Sequence, residues 1–283
     1  MMLLKKTPLW IAAKGLLAER GAEFFRCLET AISTYDPEDI HDLRVASRRL
    51  REGFSLFKRS YPADRISRLR KSVRKVTNVL GTMRNIDEYL AFLRAEADEL
   101  GPDHGTELSA CIDRYEKKRR QARKQLKRDL RTVKPVALRR FFVRTVHAPF
   151  LFNAPPDAAD PFLSIDDFAR ESLDERLASV LALVPAACIP EEAASQHRLR
   201  IAVKRYRYRM EVLAPLMGEG YAEEHARVKA YQEILGRIHD LDVFAELIRE
   251  IRLSEGTTAA LAMLLAGKRE KSFREFCRKL DTV

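Results

Sequence analysis

Cysteine is scarce in this chain of 283 residues. The four, Cys27, Cys111, Cys188 and Cys277, lie far apart and form no CxxC pair. They read as small buried apolar residues of a reducing compartment. Long apolar runs are also missing. The opening MMLLKKTPLWIAAKGLL is broken by Lys5, Lys6, Pro8 and Lys14, so neither a signal-peptide core nor a membrane span is expected, and a cytoplasmic protein is. No stretch alternates in the manner of a strand, and the 11 glycines and 12 prolines sit mostly between helical periods, which predicts an all-α fold. No activated nucleophile, metal cage or phosphate-cradling glycine loop stands out, and no cofactor is expected. Acid is in short supply: Lys+Arg outnumber Asp+Glu by 52 to 41, a formal charge of +11. Such an excess favours an acidic partner.

What is present is helical periodicity, with one helix written twice. HDLRVASRRLR from His41 and HRLRIAVKRYR from His197 match at seven of eleven positions, counting the conservative Arg48/Lys204 pair, at a constant offset of 156. At about 100° per residue, His41, Arg44, Arg48 and Arg51 share a stripe roughly 80° wide, as do His197, Arg200, Lys204 and Arg207. Leu43, Ala46, Leu50, Phe54 and Phe57 lie opposite the first stripe, and Leu199, Ala202, Tyr206, Met210 and Leu213 opposite the second; these backs are expected to pack in a core. A second repeat pairs LGTMRNIDEYL from Leu80 with LGRIHDLDVFA from Leu235, aligning Asp87 with Asp242. The pattern predicts an internal duplication, with tandem helical bundles at 1–147 and 164–283. The Pro-rich segment 148–163 reads as an ordered or semi-rigid connector. Within the halves, a helix capped by Asp36 should run to about Ser60, Gly81 and Gly236 should end the third helices, and new helices should start near Asn85 and Asp240.

A stripe of like charges repels itself unless something anionic meets it. Two such stripes facing each other would line a groove or pore, and arginine suits its walls because its fork donates to phosphate oxygens in pairs. The third helices add Lys71, Arg74 and Lys75 in the first half, Arg227 and Lys229 in the second. The basic run from Lys117 to Arg131 surrounds its helix and reads as a solvated surface. Single-strand binders interleave stacking aromatics with charge, and here only Tyr208 lies near the basic face, which favours a ligand of phosphate without bases. Binding to a nucleic-acid backbone stays open. So does a metal-dependent phosphohydrolase built on His41-Asp42 or His239-Asp240 with His104 and His147, although arginines beside a divalent cation oppose it.

HxxRxxxRRxR followed by an LGxxRxxD segment, doubled in a helical chain, resembles the CHAD family, the conserved histidine α-helical domain. The resemblance covers about Leu9 to Leu280. It implies two four-helix bundles, related by pseudo-two-fold symmetry, around a central basic channel that binds inorganic polyphosphate without catalysis. It also implies association with CYTH-type triphosphate-processing enzymes or with polyphosphate granules. Carried over onto this chain, the ligand residues are His41, Arg44, Arg48, Arg49, Arg51, His197, Arg200, Lys204, Arg205 and Arg207. The family's Arg-Asp pair is altered here to Arg84-Asn85 and His239-Asp240, and Asn85 and Asp240 read as helix caps.

Overall fold

The computed structural model describes residues 5–152 and 155–280. Asn153 and Ala154 of the predicted connector, and the ends of the two predicted bundles at 1–4 and 281–283, lie outside the described residues. The fold is all-α: α1 (Leu9–Thr34), α2 (Pro37–Leu56), α3 (Ala63–Val79), α4 (Gly81–Leu100), α5 (Pro102–Thr132), α6 (Pro135–Val146), α7 (Ile165–Leu181), α8 (Val184–Ala187), α9 (Ala193–Leu213), α10 (Tyr221–Glu250) and α11 (Glu255–Leu280). The described residues form no strand, only an isolated bridge between Pro8 and Ser164. None of their helices is long and apolar enough to cross a membrane.

Local chemistry accounts for the ends. Tyr35 takes the left-handed conformation at φ 54° and closes α1. Asp36 then caps α2, its carboxylate accepting from the Glu38 amide at 3.0 Å, with Pro37 in the first turn. α2 stops at Leu56, and a 3-10 turn over Lys58–Ser60 completes the stretch expected to be helical. Gly81 opens α4 instead of closing α3. Its counterpart Gly236 lies inside α10, which runs unbroken where two helices were expected. A glycine costs a helix only about 1 kcal/mol, and the buried Ile234, Leu235 and Ile238 around it hold α10 to its core. Asn85 and Asp240 are therefore interior helical residues and not caps.

The chain forms two compact units, each assembled from three stretches. Unit 1 takes Met1–Gly81, Leu126–Ala178 and Arg205–His225; unit 2 takes Thr82–Gln125, Ser179–Lys204 and Ala226–Val283. These are not the consecutive spans 1–147 and 164–283. In unit 1, α1 packs on α2 and α6, and α3 packs on α2 and α6. The predicted apolar back of α2 is its core: Leu43, Leu50, Phe54 and Phe57 are fully buried. α1 approaches Phe142 of α6 so closely that a Cβ at Gly21 would stand 2.1 Å from the ring. The Pro-rich connector is ordered where described, and backbone bonds hold it to unit 1: Phe150 N to Ser60 O at 2.9 Å, Ala159 N to Arg59 O at 3.1 Å and Leu9 N to Leu163 O at 2.9 Å.

Unit 2 has two apolar clusters. One gathers Leu90, Leu93, Leu108, Leu247, Leu261 and Leu265, and the other Leu199, Val203, Ile234, Ile238, Phe273 and Phe276. The two motif aspartates do the same work in it. Asp87 accepts from Arg119 Nε at 2.6 Å, tying α4 to α5, and Asp242 accepts from Arg269 Nε at 2.6 Å, tying α10 to α11. Of the cysteines, Cys27 and Cys111 are buried as expected, but Cys188 is exposed and Cys277 is half-buried.

Candidate anion-binding site

In unit 1 the site is built on α2. Burial of its apolar back turns Arg44, Arg48 and Arg51 towards a partly exposed face. Thr77 of α3 donates to Ser47 of α2 at 2.9 Å and fixes the register between the two helices. Arg51 then finds itself among like charges. Burial, and next the guanidinium groups of Arg70, Arg74, Arg48 and Arg205, lower its pKa. Its Nε is shielded from solvent and has no hydrogen-bond partner among the described residues. Arg48 donates to the Tyr208 hydroxyl at 3.2 Å. Arg70 and Arg74 are exposed. Four arginines thus crowd a fifth whose Nε has no partner among the described residues.

In unit 2 the first half of α9 meets α10. His197 and His239 approach Nδ1 to Nδ1 at 3.0 Å, with ring centroids 4.4 Å apart. Such a contact needs a proton on one nitrogen only, so two neutral rings in complementary tautomers satisfy it. Burial, then the charges of Arg200 and the neighbouring His197, push the pKa of His239 down to about 4. Burial, Arg200 and Lys204 lower that of His197 as well. Arg200 Nη2 stands 3.8 Å from Asp240 Oδ1. Burial raises the Asp240 pKa in spite of Arg200. This second cluster holds both permanent cations and neutral, protonatable rings.

The arrangement bears on the phosphohydrolase alternative. Asp240 stands beside Arg200, whose charge repels a divalent cation there. Among the described residues, no group of three or more His, Cys, Asp or Glu side chains is placed to hold a metal ion.

The family model for the CHAD domain matches residues 16–249. The chain belongs to the CHAD family. Two solved structures share the fold of this CHAD chain. PptA from Streptomyces chartreusis is 20% identical with a TM-score of 0.75, over 97% of this chain and 100% of that one. The CHAD domain from the plant Ricinus communis is 24% identical with a TM-score of 0.74, over 100% of this chain and 95% of that one. No curated protein matches.

The remaining candidate residues of this CHAD chain fall elsewhere. Arg49 and Arg207 both grip Glu211, at 2.6 Å each, and Arg49 also holds Glu23 at 2.7 Å. His225 joins the same carboxylate at 3.1 Å. Burial would raise the Glu211 pKa, but the hydrogen bond from Arg49 and the charges of Arg207 and Arg49 outweigh it and hold the carboxyl below its ordinary range. Arg49 and Arg207 are therefore engaged within the protein. Lys71, Lys75, Arg227 and Lys229 are exposed on α3 and α10, with Lys229 3.7 Å from Glu233. His41 is exposed, unlike its counterpart His197. The position matching His239 in the first half is Arg84, which pairs with Glu88 at 2.5 Å. Sequence reasoning missed Arg70, although it stands one turn before Arg74 on the flank of the apolar face of α3. It also missed Glu52 and Arg209, a buried pair at 2.8 Å.

Proposed function

We propose that this chain binds inorganic polyphosphate through its two cationic clusters and does no chemistry on it. The observation that carries the reading is Arg51: a half-buried guanidinium with an unmatched Nε, surrounded by four more arginines. A chain of phosphates brings the missing acceptors and the missing negative charge together, and guanidinium forks match its oxygens in pairs. The doubled motif supplies one cluster to each unit, which is what an internal duplication with pseudo-two-fold symmetry would leave. Tyr208 is buried and engaged by Arg48, so it offers no platform for a base. The reading implies a cytoplasmic protein that meets polyphosphate granules or a CYTH-type triphosphate-processing enzyme.

The test is a competition among polyphosphate, RNA and duplex DNA for the purified chain, followed by charge-matched variants. Arg44→Ala with Arg200→Ala should weaken polyphosphate binding more than Arg120→Ala with Arg123→Ala on α5, although each pair removes two charges. Phosphate release should stay at background with or without divalent metal. Tighter binding of RNA or DNA, or equal weakening by the two pairs, would refute the proposal.

A further inference from the structure

A cavity of about 470 Å³ in unit 1 shares no side chain with the Arg51 cluster. It opens between the end of α2 and its 3-10 turn, the connector, and α7, and its size is that of a small-molecule pocket. Two polar atoms of its lining residues are shielded from solvent and lack a hydrogen-bond partner among the described residues: Ser60 Oγ and Arg176 Nε. Ser60 is only 4% exposed. Natural proteins rarely leave such groups unmatched.

The charge of this cavity differs in kind from that around Arg51. Lys58, Arg59, Arg176 and Arg209 line it, and so do Asp160, Glu171 and Glu175. Behind the wall Glu52 holds Arg209 at 2.8 Å and stands 3.6 Å from Arg176. Cations and carboxylates therefore balance, four against four. A polyanion gains no net attraction here, whereas a molecule carrying one charge of each sign can meet both. Phe168, stacked on Phe57 with ring centroids 5.8 Å apart, adds an apolar surface beside Leu56 and Leu163.

We infer that this cavity binds a small zwitterion of the α-amino-acid type, its carboxylate towards Arg176 and Ser60 and its ammonium towards the carboxylates of α7. A carboxylate accepts from a guanidinium edge and a hydroxyl together, and Glu171 and Glu175 supply the acceptors for the ammonium. The ligand side chain lies against Phe168.

The full chain is heated with a mixture of the standard L-amino acids, with succinate, or with cadaverine. These probes carry both charges, anions alone and cations alone. The melting temperature should rise with the amino acids only. Isothermal titration with the responding amino acid should then lose about tenfold in affinity in Ser60→Ala and more in Arg176→Gln, with polyphosphate titration unchanged. Ser60→Ala removes a hydroxyl that bonds to no described residue, so it tests the site even if Arg176→Gln fails to fold. A rise with succinate or cadaverine equal to that with amino acids, no rise with any probe, or full affinity in Ser60→Ala would overturn the inference.

Discussion

Replacing Arg51 by Met separates a ligand site from a structural arginine, because the two roles predict opposite signs. Methionine keeps an unbranched apolar stem of similar length and removes the charged head. In the free protein that head is half-buried, crowded by Arg48, Arg70, Arg74 and Arg205, and its Nε is unmatched. An unsatisfied buried donor costs about 1–3 kcal/mol. Losing it should offset any imperfect packing of the thioether and leave a net gain of about 1 kcal/mol, seen as a melting temperature raised by roughly 2–4 °C. Binding should move the other way. A hydrogen bond to a charged partner contributes about 1.5–3 kcal/mol, so polyphosphate affinity should fall by about tenfold to a hundredfold. The slope of log affinity against log salt should shrink by about 0.7, one phosphate contact on the single-strand relation. Thermal denaturation without ligand and titration at two salt concentrations give both numbers. A variant that melts lower than the parent, or that binds as tightly with the same salt slope, refutes the reasoning.

Acidity should act on the second cluster. The folded pKa of His239 is about 4, below the ordinary 6.5, and that of His197 is also lowered, so the unfolded chain binds more protons between these limits. The stability from the neutral pair is complete above about pH 6.5 and is lost as pH falls towards 4; His239→Asn should flatten this part of the pH–stability curve. A polyanion favours the protonated rings, so polyphosphate binding near pH 6 should take up protons, detectable as a buffer-dependent heat that His239→Asn diminishes. Glu211→Gln should destabilise the fold by about 3 kcal/mol in denaturant titration, because it strips Arg49 and Arg207 of a buried counter-charge.

The apolar faces were legible because helical periodicity depends only on sequence spacing. Leu43, Leu50 and Phe54 on α2, and Leu199, Met210 and Leu213 on α9, are buried where the wheel puts them. The N-terminus of α2 was legible in Asp36-Pro37, whose chemistry is local. The glycines were not. Gly81 and Gly236 follow the same leucine in the two repeats, yet one opens a helix and the other lies within one, since neighbouring core residues settle whether a mid-helix glycine is tolerated. The wheel placed Arg44, Arg48 and Arg51 together, but a single helix says nothing of the carboxylates another will bring. Glu211 is why Arg49 and Arg207 are engaged, whereas Arg51 Nε has no partner among the described residues. The equivalence of His41 and His197 also ends at tertiary contact, because among the described residues it is His197 that has a second histidine beside it.

The three-part make-up of unit 1 imposes an order of events on a chain made from its N-terminus. α1, α2 and α3 emerge early, yet part of the charge pairing of α2 comes late: Arg49, held early by Glu23, still waits for Glu211, and Glu52 waits for Arg209. The strap that binds Leu9 to Leu163 is likewise absent for most of synthesis. Contacts of such long sequence separation slow folding and leave apolar surface open meanwhile. On the ribosome, then, unit 1 is an unfinished body until residues 205–225 have left the exit tunnel. A nascent chain halted before Arg205 has Arg176 but not Arg209 beside Glu52, and its open apolar surface is the kind that chaperones cover.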